Sequence, residues 1–200
     1  MNRMHLVKGF LCLSLTFGIA TAGLAGEPQD QLKGTTDKVL SILANPDLKG
    51  PGKAKERREL IRKTIDEHFD WEEMARRSLA RHWVQRTPEE KREFIPLFRE
   101  LLERVYADKV EGYSWNKILY EEERIDGDYA GIKIKIFTAK DQIIQVEYRT
   151  WKKGNSWLVY DFSVEGVSLV NNYRTQFNEI IAKSSYQELV KRLKAKSTQN

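Results

Sequence analysis

Residues that could carry chemistry are few in this sequence. Of three histidines, His5 sits in an N-terminal leader, and His68 and His82 fall on different expected helices. Zinc sites need ligands at close spacing, such as histidines one helical turn apart, so this pair defines no metal centre. Cys12 is the sole cysteine and lies inside the same leader. Cysteine catalysis, thiolate metal sites and disulfide staples are excluded together. Carboxylates are abundant, and Glu121-Glu122-Glu123 or Asp161 with Glu165 could be imagined as an acid and its base. Successive strand residues point to opposite faces, so the glutamate run is not expected to converge on one substrate. Asp161 and Glu165 stand where a strand enters a turn, and capping and solvation are the roles expected of them. There is no nucleophile elbow, P-loop or Rossmann glycine fingerprint.

Aromatic surface is the more unusual feature. Trp83, Phe94, Phe98, Tyr106, Tyr148, Trp157, Tyr160, Phe162, Tyr173 and Phe177 fall on elements expected to face one another. In VEGVSLVNNYRTQFNEII, residues 164 to 181, Val170, Tyr173, Phe177, Ile180 and Ile181 recur at helical spacing and form one apolar stripe. Such a stripe either fills a core or walls a cavity, and periodicity does not separate the two.

The elements that position these residues follow from pattern. Residues 1–25 read as a Sec-type signal peptide: Arg3 and Lys8, an apolar run from Phe10 to Ala22, then Gly23-Leu24-Ala25 before the expected cut. Residues 26–200 are expected to form one domain. The full chain carries a formal charge of +5, and loss of Arg3 and Lys8 leaves +3 on a surface with no dense basic block. Nucleic-acid binding is therefore not expected. A helix is expected up to Ala44, a second from Lys53 to near His68, and a third capped by Asp70 that carries Met74, Ala75, Leu79 and Trp83. Thr87-Pro88-Glu89-Glu90 is a capping box that opens a fourth, and Pro96 inside it predicts a kink. Beyond Gly112 the period changes to alternation. Strands are expected at 118–125, 130–138, 143–151 and 157–164, joined by links of hairpin length, and hence an antiparallel meander. Two helices follow. The fold class is α+β, with a twisted sheet of four or five strands covered on one face by helices.

HFDWEEMARRSLARHWVQRTPEEKREFIPLFRELLERVYADKV, residues 68 to 110, and VEGVSLVNNYRTQF, residues 164 to 177, resemble the periplasmic phospholipid-binding MlaC family, also called the toluene-tolerance auxiliary family. The signals are Phe69-Asp70, Ala75, Leu79, Trp83, Thr87-Pro88, Phe94, Phe98, Leu101, Tyr106, Gly166-Val167-Ser168-Leu169, Tyr173-Arg174 and Gln176-Phe177, in order along nearly the whole mature chain. The chain departs from the family pattern at Ala80 and at Ser184-Ser185, where glycines are common, and at Pro96.

The resemblance implies an NTF2-like, cone-type architecture enclosing an apolar cavity. It also implies a monomeric, non-enzymatic periplasmic carrier of diacyl phospholipid that needs no cofactor. Its partners would be an outer-membrane lipoprotein complex and an inner-membrane ABC transporter, and its role the maintenance of outer-membrane lipid asymmetry. On that reading Val170, Tyr173 and Phe177 form one wall and Phe98, Leu102 and Tyr106 another. Ile134, Val146 and Tyr148 form the sheet floor, Trp83 closes one end, and Arg174 meets the headgroup at the rim. A cone-fold isomerase or dehydratase, or a non-catalytic periplasmic adaptor, are the rival readings.

Overall fold

The computed structural model describes residues 27–112 and 115–197; the expected signal peptide lies outside them. Six α-helices and five strands occur among the described residues: α1 (Glu27–Ala44), α2 (Ala54–Asp66), α3 (Trp71–Leu79), α4 (Pro88–Gly112), β1 (Trp115–Asp126), β2 (Tyr129–Thr138), β3 (Ile143–Lys153), β4 (Ser156–Val164), β5 (Val167–Ser168), α5 (Leu169–Lys183) and α6 (Tyr186–Ser197). The sheet is an antiparallel meander in the order β1-β2-β3-β4-β5. No described helix is long and apolar enough to cross a membrane.

Local chemistry sets the helix ends. The Asp70 carboxylate accepts from the Glu73 amide at 3.0 Å and caps α3. Thr87 and Glu90 form the reciprocal box that opens α4, at 3.0 and 3.2 Å. Pro96 is an exposed residue within α4, which continues past it as helix to Gly112.

The expected third helix is shorter than its apolar stripe suggested. It stops at Leu79, and a 3-10 segment over Ala80–Gln85 carries Trp83. Ala80 causes the break, with φ 47° and ψ −120°, a backbone conformation that suits glycine and strains a residue with a Cβ. Ala80→Gly is expected to stabilise the protein by about 1 kcal/mol, raising Tm by roughly 2–4 °C. A thermal melt of the variant at or below wild type would show that no strain is stored there.

Two apolar clusters result. In the helical one, Phe94, Phe98, Leu101 and Leu102 of α4 pack with Met74 and Leu79 of α3, Val170, Tyr173 and Phe177 of α5, and Tyr186 and Leu189 of α6. In the sheet cluster, Ile132, Ile134, Ile136, Val146 and Val159 pack under Leu32 of α1. Phe69 borders both clusters.

Asp70 and Asp161, each buried, bolt these layers together. Besides its capping bond, Asp70 accepts from Trp151 Nε1 at 3.2 Å and Lys153 Nζ at 3.1 Å, which fixes the start of α3 to β3. Asp161 accepts from the Val170 amide at 3.0 Å, from Ser168 Oγ at 2.7 Å and from Arg149 Nη1 at 3.2 Å, which fixes the start of α5 to the sheet.

Candidate functional site

The sheet's helix-facing side is built in rows. Across the strands run Ile118, Ile136 and Ile144; then Tyr120, Ile134, Val146 and Val164; then Ile132, Tyr148 and Phe162; then Ala130, Thr150 and Val159. Val159 and Phe162 are an odd number of residues apart, and plain alternation would set them on opposite faces. The register shift opposite Arg149 and Thr150 turns both to the same side and leaves Asp161 on the other, where it meets Arg149 and α5.

Phe162 is the hinge of the aromatic arrangement. Its ring lies 5.4 Å from Tyr106 of α4, 6.1 Å from Tyr148 and 6.4 Å from Phe69. These four rings occupy the junction between the helical and the sheet cluster, and each is only half-buried. Burial pushes the Tyr148 phenol up to about 12, with the nearby Tyr120 adding to the shift. Burial likewise raises the Tyr106 and Tyr120 hydroxyls, so all three phenols stay neutral.

The ten expected lining residues separate into two groups. Phe98 is 0% exposed, Val170 2%, Phe177 3% and Leu102 3%, and all four belong to the helical cluster. Tyr173 and Trp83 are buried in the same cluster, with Lys91 Nζ 5.1 Å above the Trp83 ring. Ile134, Val146 and Tyr148 lie together on the helix-facing side of the sheet, and Tyr106 reaches them through Phe162. Thus Tyr106, Tyr148, Ile134 and Val146 lie along the sheet and at its junction with the helices, while the other six are packed in the helical cluster. Arg174 is exposed on α5, and its Nε donates to the Arg77 carbonyl at 3.2 Å, tying α5 to α3.

Phe69, Tyr120 and Phe162 stand beside Tyr106 and Tyr148 although none of the three was among the ten expected lining residues. The alternation of Ile118 and Tyr120 was the available signal for Tyr120. Phe162 depended on a bulge that alternation does not reveal.

The carboxylates behave as structural groups. Glu121 pairs with Lys135 and Glu122 with Lys133, each at 2.6 Å, while Glu123 accepts from the Gln29 amide at 2.8 Å. A second register shift between Tyr120 and Glu122 brings Glu121 and Glu122 to the same lysine-bearing face, contrary to strict alternation. Each is nevertheless held by its own lysine. Glu165 accepts from the Gln145 amide at 2.7 Å. His82 Nε2 lies 3.1 Å from Asn178 Oδ1, and no metal-ligand cluster is found among the described residues.

A five-stranded antiparallel sheet packed against helices, with half-buried aromatic rings at the junction, places this chain among the α+β proteins built on an open, helix-covered sheet. A family model described as MlaC protein matches residues 33–195, and the chain belongs to that family. It is 26% identical to the intermembrane phospholipid transport system binding protein MlaC of Haemophilus influenzae, over 100% of this chain and 97% of the relative. A phospholipid-binding protein from Ralstonia solanacearum, solved in complex with a phospholipid, superposes with a TM-score of 0.78 at 27% identity. That alignment covers 87% of this chain and 98% of the other. Both relatives are named for binding or transport.

Proposed function

We propose that the chain is a periplasmic carrier that holds the acyl tails of a diacyl phospholipid in a chamber that opens between sheet and helices. It shuttles the lipid between an outer-membrane lipoprotein complex and an inner-membrane ABC transporter, and so maintains outer-membrane lipid asymmetry. Residues 1–25 direct export, and no cofactor takes part. The observation that carries this reading is the superposition, at a TM-score of 0.78, on a phospholipid-binding protein solved with its lipid, with half-buried Phe69, Tyr106, Tyr148 and Phe162 set between sheet and helices.

The physical need is large. A two-tailed lipid carries roughly 30 methylenes, and at about 0.8 kcal/mol for each one shielded, the free monomer lies on the order of 20 kcal/mol above its buried state. Only a continuous dry environment makes transit fast, so loading and release require docking rather than escape through water. The phosphate stays wet at the rim, because burying it unpaired is costly. Arg174 is one such rim contact, by the edge of its guanidinium not spent on Arg77.

Gently purified protein is expected to show a phospholipid mass increment by native mass spectrometry, with diacyl lipids recovered on extraction. Tyr106→Glu places a charge beside Phe162 and is expected to lose most of that lipid while retaining native circular dichroism. A wild-type protein with no bound lipid, or a variant with its full load, would defeat the carrier reading.

A further inference from the structure

Positive charge collects on one face of the molecule. Arg76 and Arg77 of α3, Arg81 of the 3-10 segment, Arg149 of β3 and Arg174 of α5 form one connected group there. Arg174 Nε donates to the Arg77 carbonyl at 3.2 Å, the Arg77 guanidinium lies 4.0 Å over the Tyr160 ring, and Arg149 acts electrostatically on the same phenol. Arg81 Nη2 donates to Asn178 Oδ1 at 2.8 Å, one turn along α5 from Arg174.

The anions of this face lie beneath it. Glu73 accepts from Arg76 and Arg77 at 2.6 Å and is 8% exposed; Asp161 accepts from Arg149 at 3.2 Å and is 4% exposed. The Arg76, Arg81 and Arg174 side chains are exposed, and that of Arg149 is partly so. Arg81 and Arg174 spend donors on an amide oxygen and a backbone carbonyl, neither of which cancels charge. Five guanidiniums thus meet two carboxylates, and Glu72, exposed on α3 one turn before Arg76, does not remove the excess.

The five cations are all arginines, and the fold holds them in place. A guanidinium is a planar fork that grips a carboxylate through two parallel bonds, which an ammonium does not. The positive φ of Ala80 ends α3 and sends Arg81 toward α5. Pre-organised forks lower the entropy cost of meeting charges that are themselves fixed. On a fluid lipid surface the phosphates move, and flexible lysines serve as well. Tyr160 and the half-exposed Tyr129, edge to face at 6.1 Å, border the arginines. Tyrosine and arginine are the residues enriched where proteins meet.

Resting on the carrier reading, we infer that this face is a docking surface for a protein partner that presents fixed carboxylates, on one of the two membrane complexes the carrier visits. Arg174 joins the face to the rim, so a partner seated on it stands beside the point where the lipid leaves.

The test measures binding of the purified mature chain to each complex in detergent, and to phosphatidylglycerol vesicles, by biolayer interferometry. Arg81→Glu reverses a charge whose partner is a neutral amide. A second variant, Arg76→Lys with Arg81→Lys, keeps the charge and removes the forks. Both are expected to melt like wild type and to keep its phospholipid load by native mass spectrometry. Wild type is expected to bind one complex with an affinity that falls as salt is added. Arg81→Glu is expected to bind that complex about tenfold more weakly, and the lysine pair several-fold more weakly. Unchanged binding to both complexes in Arg81→Glu, or a lysine pair as tight as wild type, overturns the inference while the lipid load leaves the carrier intact. Loss of vesicle binding alone assigns the face to a lipid surface and overturns it too. Wild type without phospholipid removes the carrier reading and this inference with it.

Discussion

Replacing Phe98 by alanine is expected to lower stability by about 3–5 kcal/mol, read as a shift of the urea midpoint at constant m-value. The ring is 0% exposed and stands at the centre of an aromatic cluster, 5.9 Å from Phe94 and 5.7 Å from both Tyr173 and Phe177. Its ring meets Tyr173 and Phe177 edge to face, the arrangement in which one ring's positive edge meets the other's negative face. Deleting it removes transfer free energy and leaves a void that three rigid rings cannot close. The outcome bears directly on function. A residue lining a lipid chamber fronts open space in the empty protein, and its truncation costs lipid affinity far more than stability. A loss below about 1 kcal/mol would therefore return Phe98 to the chamber wall and show that the helical cluster is not sealed.

Asp161→Ala is expected to cost about 3 kcal/mol, seen as a fall in Tm of roughly 6–12 °C. The side chain is 4% exposed and gathers three donors: the Val170 amide, the Ser168 hydroxyl and the Arg149 guanidinium. Arg149 is partly exposed and turns to water when released. Ser168 retains its bond to the Asn171 amide as the cap of α5. The Val170 amide is buried and has no such recourse, and its stranding dominates the cost. Asp161→Asn is the informative companion, because an amide oxygen still accepts from Val170; a clearly smaller loss is expected. If the alanine and asparagine variants melt alike and within 2 °C of wild type, Asp161 does not hold α5 to the sheet. The consequence reaches the aromatic junction, since the same bulge that turns Asp161 toward α5 turns Phe162 toward Tyr148 and Tyr106.

The division of the aromatic residues shows what each level of description contributes. By itself the sequence determined the α+β class, the order of elements, the hairpin links and the caps at Asp70 and Thr87, because backbone periodicity and local hydrogen bonding are properties of neighbours in the chain. It also left no histidine pair at zinc-ligand spacing and no cysteine outside the expected leader. It marked Tyr106, Tyr148, Val146 and Ile134 among the lining candidates and carried the family resemblance.

Only the tertiary structure decided which stripe is sealed among the helices and which lies half-buried at their junction with the sheet. Phe98 and Phe177 have the same apolar periodicity that a cavity wall would have, and they meet each other because α4 and α5 cross there. Ala80 ended α3 through a positive φ, a preference that a helical stripe does not encode. Two bulges, one at Tyr120 to Glu122 and one opposite Arg149 and Thr150, changed which side chains share a face, bringing Glu121 beside Glu122 and Phe162 beside Tyr148. Pattern fixes where a side chain points along its own element. Whether it meets another side chain or an open space depends on how distant elements are placed, and in this fold Asp70, Asp161 and the two bulges make that placement.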